Sequence, residues 1–76
     1  ARAGEPEAMT ALGALFLNGI GVPQNYSRAY VLLSLAAAHG DHDAVGLRDR
    51  AASFLSSDQL ATLKQEAGRR FEHSRG

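Results

Sequence analysis

The sequence predicts an all-α protein of about four helices. Apolar residues recur at the 3.6-residue spacing of helices, and no segment shows the apolar–polar alternation of a strand together with turn residues. Hydrophobic residues make up 45% of the chain, with only two tyrosines and three phenylalanines, which favours tightly packed helices over a sheet core. Seventy-six residues without cysteine make one small domain that disulfides cannot stabilise.

The first helix is predicted from Glu5 to Asn18. Pro6 lies near its start, where a missing backbone N–H costs nothing, and Gly19 follows as a stop signal. Four apolar residues at positions i, i+4, i+7 and i+8 form one stripe of this helix, which predicts its packing face: Ala8, Leu12, Leu15 and Phe16.

The second helix is predicted to begin after Asn25, a favourable N-cap residue, and to end at Gly40. Its segment, YSRAYVLLSLAAAH, is apolar on nearly every side. Such a helix is expected to be buried by neighbours on more than one side.

The third helix is predicted from about Asp43 to Phe54, with Asp41 as its cap. Its apolar face is predicted to consist of Ala44, Leu47, Ala51 and Leu55.

The fourth helix has the clearest predicted start in the chain. Ser56 and Gln59 stand three apart and form a capping box, and the helix is expected to fray after Phe71. The predicted core of the whole chain combines residues from all but the third helix: Leu12, Leu15, Phe16, Tyr26, Ala29, Leu33, Ala36, Ala37, Leu60, Leu63 and Phe71.

The chain also shows an internal repeat. Residues 41–44 align with residues 5–8 at an offset of 36, and Gly40 then aligns with Gly4. The match decays further along, so the predicted organisation is one complete helix pair at 5–40 and a degenerate pair or C-terminal helical cap at 41–76. A degenerate last pair is typical of the end of a helical array, because the terminal unit needs a polar outer face toward water.

The loop segment FLNGIGVPQNY, from Phe16 to Tyr26, has two interpretations. Gly19 and Gly21 could cradle a phosphate, but such loops follow a strand and carry a third glycine or a Gly-Lys-Ser/Thr ending. This loop follows a helix, and Pro23 removes a backbone donor. The segment is therefore interpreted as a bend that connects two helices.

The segment EAMTALGALFLNGIGVPQNYSRAYVLLSLAAAHGDHDA resembles a Sel1-like repeat, a relative of the tetratricopeptide repeat with a longer loop between its helices. The matching positions are Ala8, Leu12, Gly13, Leu15, Phe16, Gly19, Gly21, Val22, Pro23, Gln24, Tyr26, Ala29, Ala36, Ala37, Gly40 and Ala44. The following tail resembles, more weakly, the helical ends of many bacterial members. The resemblance implies an αα-superhelix of antiparallel helix pairs that acts as a scaffold or adaptor for protein complexes.

The second helix departs from the family pattern at two positions. Val31 and Leu32 stand where the family usually has lysine and tryptophan. Together with Leu35, they suggest a contact through which the protein could form a homo-oligomer.

A candidate partner-binding groove follows from the resemblance, because the first helices of such pairs line the concave surface. A second stripe of the first helix and the residues in register with it at the 36-residue offset include Glu7, Thr10, Ala14, Leu17, Asn18, Asp43, Arg50 and Ser53. Leu17 is expected to be partly exposed there, as Phe54 could be, and to contact a bound peptide or helix. An ordinary solvent-exposed face is the alternative.

Other chemistries find little support in the sequence. His39 and His42 flank a helix-ending Gly40, so they lack the spacing of a helical zinc site, and no serine lies in a nucleophile motif. Eight basic and eight acidic residues balance, which argues against nucleic acid and anionic membranes as partners. We therefore expect no catalytic, metal or cofactor site.

The predicted function is that of a protein–protein interaction module that holds a segment of a partner protein or peptide in its groove. The alternatives are a hydrolase-type enzyme built on the repeat scaffold and a self-assembling structural cap. The chain opens ARAGEPEA, which is interpreted as the start of a piece of a longer protein, so the sequence does not indicate a compartment.

Overall fold

The computed structural model describes the backbone of residues 5–75 and the side chains of residues 5–66. It contains four helices, and no strand occurs between residues 5 and 75, which confirms the predicted fold class. The helices are α1 (Glu5–Asn18), α2 (Tyr26–Ala38), α3 (Asp43–Ala52) and α4 (Ser57–Arg75).

Two predicted helix ends are wrong. α3 stops at Ala52 because the amides that follow bond to the carbonyl three residues back instead of four. Phe54 N donates to Ala51 O at 3.1 Å, and Leu55 N donates to Ala52 O at 3.0 Å. α4 continues past Phe71 to Arg75, since none of the intervening residues is a glycine or proline that would end a helix.

The residues predicted as caps accept hydrogen bonds at the helix starts, but the N-cap residue of α3 is His42 rather than Asp41 and makes no side-chain cap bond. The Oδ1 atom of Asn25 accepts from Arg28 N at 3.0 Å, and Oδ1 of Asp41 accepts from Asp43 N at 3.1 Å. The capping box at the start of α4 is complete: Ser56 N donates to Gln59 Oε1 at 2.8 Å, and Gln59 N donates to Ser56 Oγ at 3.1 Å. These bonds satisfy amides that the first turn of a helix leaves without intrahelical partners.

The loop between α1 and α2 is held by hydrogen bonds back to α1. Gly19 and Gly21 have φ values of 68° and 77°, a left-handed conformation that suits glycine. Asn25 N donates to Phe16 O at 2.9 Å, and Gln24 Nε2 donates to Leu17 O at 2.9 Å. This geometry fits the interpretation of the loop as a bend between helices.

α2 is the central helix and contacts α1, α3 and α4. Its Ala29, Leu33 and Ala36 side chains are fully buried, and Ala44 and Ala51 of α3 are equally inaccessible. Leu63 of α4, at 8% exposure, completes the buried core on that side. The prediction that α2 is buried on more than one side is therefore confirmed.

The predicted packing face of α1 is wrong. Ala8, Leu12 and Leu15 are exposed, the two leucines by 41% and 38%, and the buried face instead consists of Thr10, Gly13 and Leu17. Gly13 permits this orientation, because a Cβ atom there would lie 2.7 Å from Leu33 Cγ of α2, and the residues three before and four after it are buried with it.

The remaining predicted core residues are partly buried. Four of them pack against the core without being fully covered: Phe16, Tyr26, Ala37 and Leu60. The predicted contribution of Phe71 lies outside the side chains that the structure describes.

A side-chain contact ties α1 to the turn before α3. The Oγ1 atom of Thr10 lies within hydrogen-bond distance of Asp41 Oδ2 and, at 2.9 Å, of Pro6 O. Because a hydroxyl has one proton, it donates to one of these two oxygens at a time. Asp41 thus caps α3 through one carboxylate oxygen and holds α1 through the other.

Candidate protein-interaction surfaces

The first surface is the predicted groove on α1 and α3, two helices that contact each other. Two of its predicted members do not reach a partner: Leu17 is 3% exposed and Thr10 is 9% exposed. The expected exposure of Leu17 is therefore wrong, because both side chains flank Gly13 on the face that packs against α2. Of the other members, Ala14 is half-buried, and the exposed ones are Glu7, Asn18, Asp43, Arg50 and Ser53.

Phe54, which was expected to be available to a partner, has a partner within the chain. Its ring stacks on Tyr26 with a centroid separation of 4.4 Å and an interplanar angle of 13°. The side chain is nevertheless 56% exposed, so one side of it faces solvent. The stack joins the start of α2 to the segment after α3.

The second surface is a cleft between α1, α2 and α4, with a volume of about 370 Å³. We call it the α1–α2–α4 cleft. Its lining combines apolar and polar side chains: Leu12, Phe16, Asn25, Ser27, Arg28, Val31, Leu32, Leu63 and Glu66.

Arg28 is the basic group of this cleft. Its guanidinium carbon lies 5.5 Å from the centroid of the Phe16 ring, in the geometry of a cation–π contact. This contact places the guanidinium over an apolar surface, and Glu66 supplies an acidic group to the same lining. Arg28 also lies in the first turn of α2, where the helix dipole adds partial positive charge.

An exposed apolar strip continues the cleft along α1. Leu12 lines the cleft, and Ala8 and Leu15 lie four residues before and three residues after it on the same side of the helix. We call these three residues the α1 strip. Their apolar character predicts a place in the core, but the packing of Gly13 against α2 leaves them exposed.

The surface predicted for homo-oligomer formation is smaller than expected. Val31 is 7% exposed and so is covered by the chain itself. Leu32 and Leu35 are half-buried. This correction follows from the central position of α2.

The structure gives a direct account of the acidic turn after α2. Asp41 is engaged as a cap and as the partner of Thr10. Among the residues described, no group of three His, Cys, Asp or Glu side chains is placed to hold a metal ion. The described part of the chain also contains no helix with the length and apolar character to cross a membrane.

Comparison with known proteins finds one family that part of the chain resembles. The family model of the Sel1 repeat matches residues 6–41, which span α1, the loop, α2 and the turn that ends at Asp41. No curated protein and no solved structure gives a significant match. Sel1 repeats generally mediate protein–protein interaction, and the family is typically a non-enzymatic scaffold. Residues 6–41, with the helix pair α1–α2, thus match a Sel1 repeat, which is consistent with a Sel1-like repeat protein.

Proposed function

We propose that this chain is a protein-interaction module, a helical-repeat scaffold or adaptor that holds a segment of a partner protein. The observation that carries the proposal is the α1–α2–α4 cleft with the adjoining α1 strip. Leu12 and Leu15 are large apolar residues with 41% and 38% exposure, and they lie next to a concave surface. Contiguous exposed apolar surface of this kind is typical of binding sites.

The mechanism is presentation by a stiff support. Leu12 and Phe16 project from a helix that the packing of Gly13 against Leu33 fixes in position. A partner segment would therefore bind to a preformed surface, and little of the binding free energy would be spent on ordering the scaffold.

The groove between α1 and α3 remains a second candidate surface of the same module. Its exposed residues are mostly polar, with Glu7 and Asp43 acidic and Arg50 basic. Such a surface suits the rim of an interface better than its centre, because charged residues are depleted from interface cores.

Affinity capture with three forms of the protein as bait would test the proposal. The forms are the unaltered chain, Leu12→Glu in the cleft, and Arg50→Glu in the α1–α3 groove. Circular dichroism would verify that each variant is folded, and light scattering would measure its mass.

We expect a protein that co-purifies with the unaltered chain and with Arg50→Glu, and is lost with Leu12→Glu. Loss with Arg50→Glu instead would move the site to the α1–α3 groove. If no protein is captured and the chain is a dimer that Leu12→Glu dissociates, the module is a self-assembling cap, and the adaptor role is wrong.

A further inference from the structure

We propose that a pocket between α2, α3 and α4 binds a single carboxylate on a short apolar body, and that Arg48, Lys64 and the Tyr30 hydroxyl hold the carboxylate. We call it the α2–α3–α4 pocket. The inference goes beyond the proposed function and is independent of it, because no residue of this pocket lines the α1–α2–α4 cleft.

The pocket is a gap between α3 and α4, two helices that meet through α2, since both of them pack against it. Its volume is about 350 Å³, near the lower end of the roughly 300–1,000 Å³ range of ligand pockets. This size suits a small molecule or the end of a chain. Each of the three helices contributes to the lining: Tyr30, Arg48, Asp49, Ala52, Leu60 and Lys64.

Tyr30 brings a polar group without a partner to the pocket. The residue is only 6% exposed, and its hydroxyl forms no hydrogen bond with the described part of the chain. Among the described side chains, Ser34 Oγ is the polar atom that is buried without a partner, so the Tyr30 oxygen retains accessible surface. Because the hydroxyl of a buried tyrosine generally has a hydrogen-bond partner, a ligand in the pocket would supply the missing acceptor.

The lining carries one excess positive charge. Arg48 and Lys64 are basic, and Asp49 is the acidic residue. Oδ1 of Asp49 lies 3.4 Å from Nε and 3.3 Å from Nη2 of Arg48, which leaves Nη1 of the guanidinium for a ligand. Within the described residues, Lys64 forms no ion pair. An excess of one charge matches a carboxylate, whereas the α1–α2–α4 cleft contains Arg28 and Glu66 and is balanced.

The remaining wall is apolar and favours a short hydrocarbon group beside the carboxylate. Ala52 and Leu60 are half-buried and pack against the core, and the Tyr30 ring adds a third apolar surface. A phosphate monoester fits this pocket less well, because its charge of roughly −1.5 to −2 exceeds the excess charge of the lining.

The test is a titration of the protein followed by heteronuclear NMR at constant ionic strength, with isocaproate as the probe. Isocaproamide has the same shape without the charge, and inorganic phosphate supplies an oxyanion without the apolar group. N-acetyl-leucine carries the same apolar group and carboxylate on a peptide unit. Tighter binding of N-acetyl-leucine would identify the ligand as a peptide end, and tighter binding of isocaproate would identify it as a free acid.

Three variants test the residues. Tyr30→Phe removes only the hydroxyl, Lys64→Gln removes the unpaired charge at an exposed position, and Arg50→Gln changes an exposed arginine of α3 that does not line the pocket. Circular dichroism would verify that each variant is folded. Because the Tyr30 hydroxyl has no partner in the described part of the free protein, Tyr30→Phe should leave the thermal midpoint unchanged.

We expect isocaproate to cause saturable shifts at the amides of the pocket residues, and isocaproamide to cause none. Tyr30→Phe and Lys64→Gln should each weaken isocaproate binding by roughly tenfold, the size of one hydrogen bond to a charged group. Arg50→Gln should have no effect.

Three results would overturn the inference. Equal binding of isocaproate and isocaproamide would show that the charge is not recognised. Equal weakening by Arg50→Gln and Lys64→Gln would show that the anion responds to the general charge of the surface. Tighter binding of inorganic phosphate, or shifts that never saturate with any probe, would exclude a carboxylate site. None of these results bears on the interaction module, which the affinity experiment tests separately.

Discussion

Gly13 of α1 packs directly against Leu33 of α2. A Cβ atom built on Gly13 would lie 2.7 Å from Leu33 Cγ and 2.9 Å from Leu33 Cδ2, closer than carbon atoms pack. Leu33 has no exposed surface, so its side chain has no open space into which it could move. This contact determines which face of α1 is buried.

Gly13→Ala should therefore destabilise the protein although alanine is the better helix former. Overpacking of a core costs about 1–3 kcal/mol, which outweighs a helix-propensity gain of up to about 1 kcal/mol. Urea denaturation followed by circular dichroism would measure the change in the free energy of unfolding.

Gly46→Ala is the matched control for this prediction. Gly46 is an exposed glycine of α3, and a Cβ atom built on it meets nothing within 4 Å. The substitution should raise the free energy of unfolding by about 0.5–1 kcal/mol. Equal effects of the two substitutions would contradict the close packing of Gly13.

The bond between Thr10 and Asp41 should contribute to the docking of α1. Thr10→Val keeps the branched shape and removes the hydroxyl, so the free energy of unfolding should fall by about 0.5–1.5 kcal/mol. Asp41→Ala should cost more, because it also removes the cap of Asp43 N.

A double-mutant cycle separates the two roles of Asp41. With the Thr10→Val background, Asp41→Ala should lose only its capping contribution, which leaves a coupling energy of about 0.5–1.5 kcal/mol between the two sites. Strict additivity of the two substitutions would show that the hydroxyl and the carboxylate do not interact in solution.

Residues within one helical turn were sufficient to predict where helices lie, but they did not predict which face of α1 is buried. Asn25 and the Ser56–Gln59 box act within one helical turn, so their sequence spacing was sufficient to place the starts of α2 and α4. The buried face of α1 depends on how closely Gly13 approaches Leu33, 20 positions away in the chain. A stripe of leucines on a helix cannot by itself distinguish an internal core from an interaction surface.

The same limit applies to the candidate surfaces. The groove prediction assigned Thr10 and Leu17 to a partner because they lie opposite Leu12, and the rotation of α1 exchanged the two faces. Arg28 did not stand out in the sequence, since its place over Phe16 depends on how the loop returns α2 along α1. The family resemblance, confirmed over residues 6–41, predicted the helix pair correctly without fixing the binding surface.

Ser56→Ala should destabilise α4 at its start. The substitution removes the acceptor for Gln59 N and leaves half of the capping box, at a cost of about 1 kcal/mol in the free energy of unfolding. Ser57→Ala, one residue along at an exposed position of the first turn, is the control and should change stability by less than about 0.5 kcal/mol. Equal losses from the two serines in thermal denaturation would mean that the box does not form.

Ser34 offers the opposite case, a polar group whose removal should stabilise the protein. Among the described side chains, its Oγ atom is buried and has no hydrogen-bond partner. A buried hydroxyl without a partner costs about 1–3 kcal/mol, and alanine also favours the helix by a few tenths of a kcal/mol. Ser34→Ala should therefore raise the free energy of unfolding by about 1 kcal/mol. Ser34→Val separates polarity from packing, because it fills the position of the hydroxyl with a methyl group and adds a second methyl group. If Ser34→Ala lowers the free energy of unfolding while Ser34→Val restores it, the hydroxyl contributes by filling volume. The expected cost of burying an unpaired hydroxyl would then be absent.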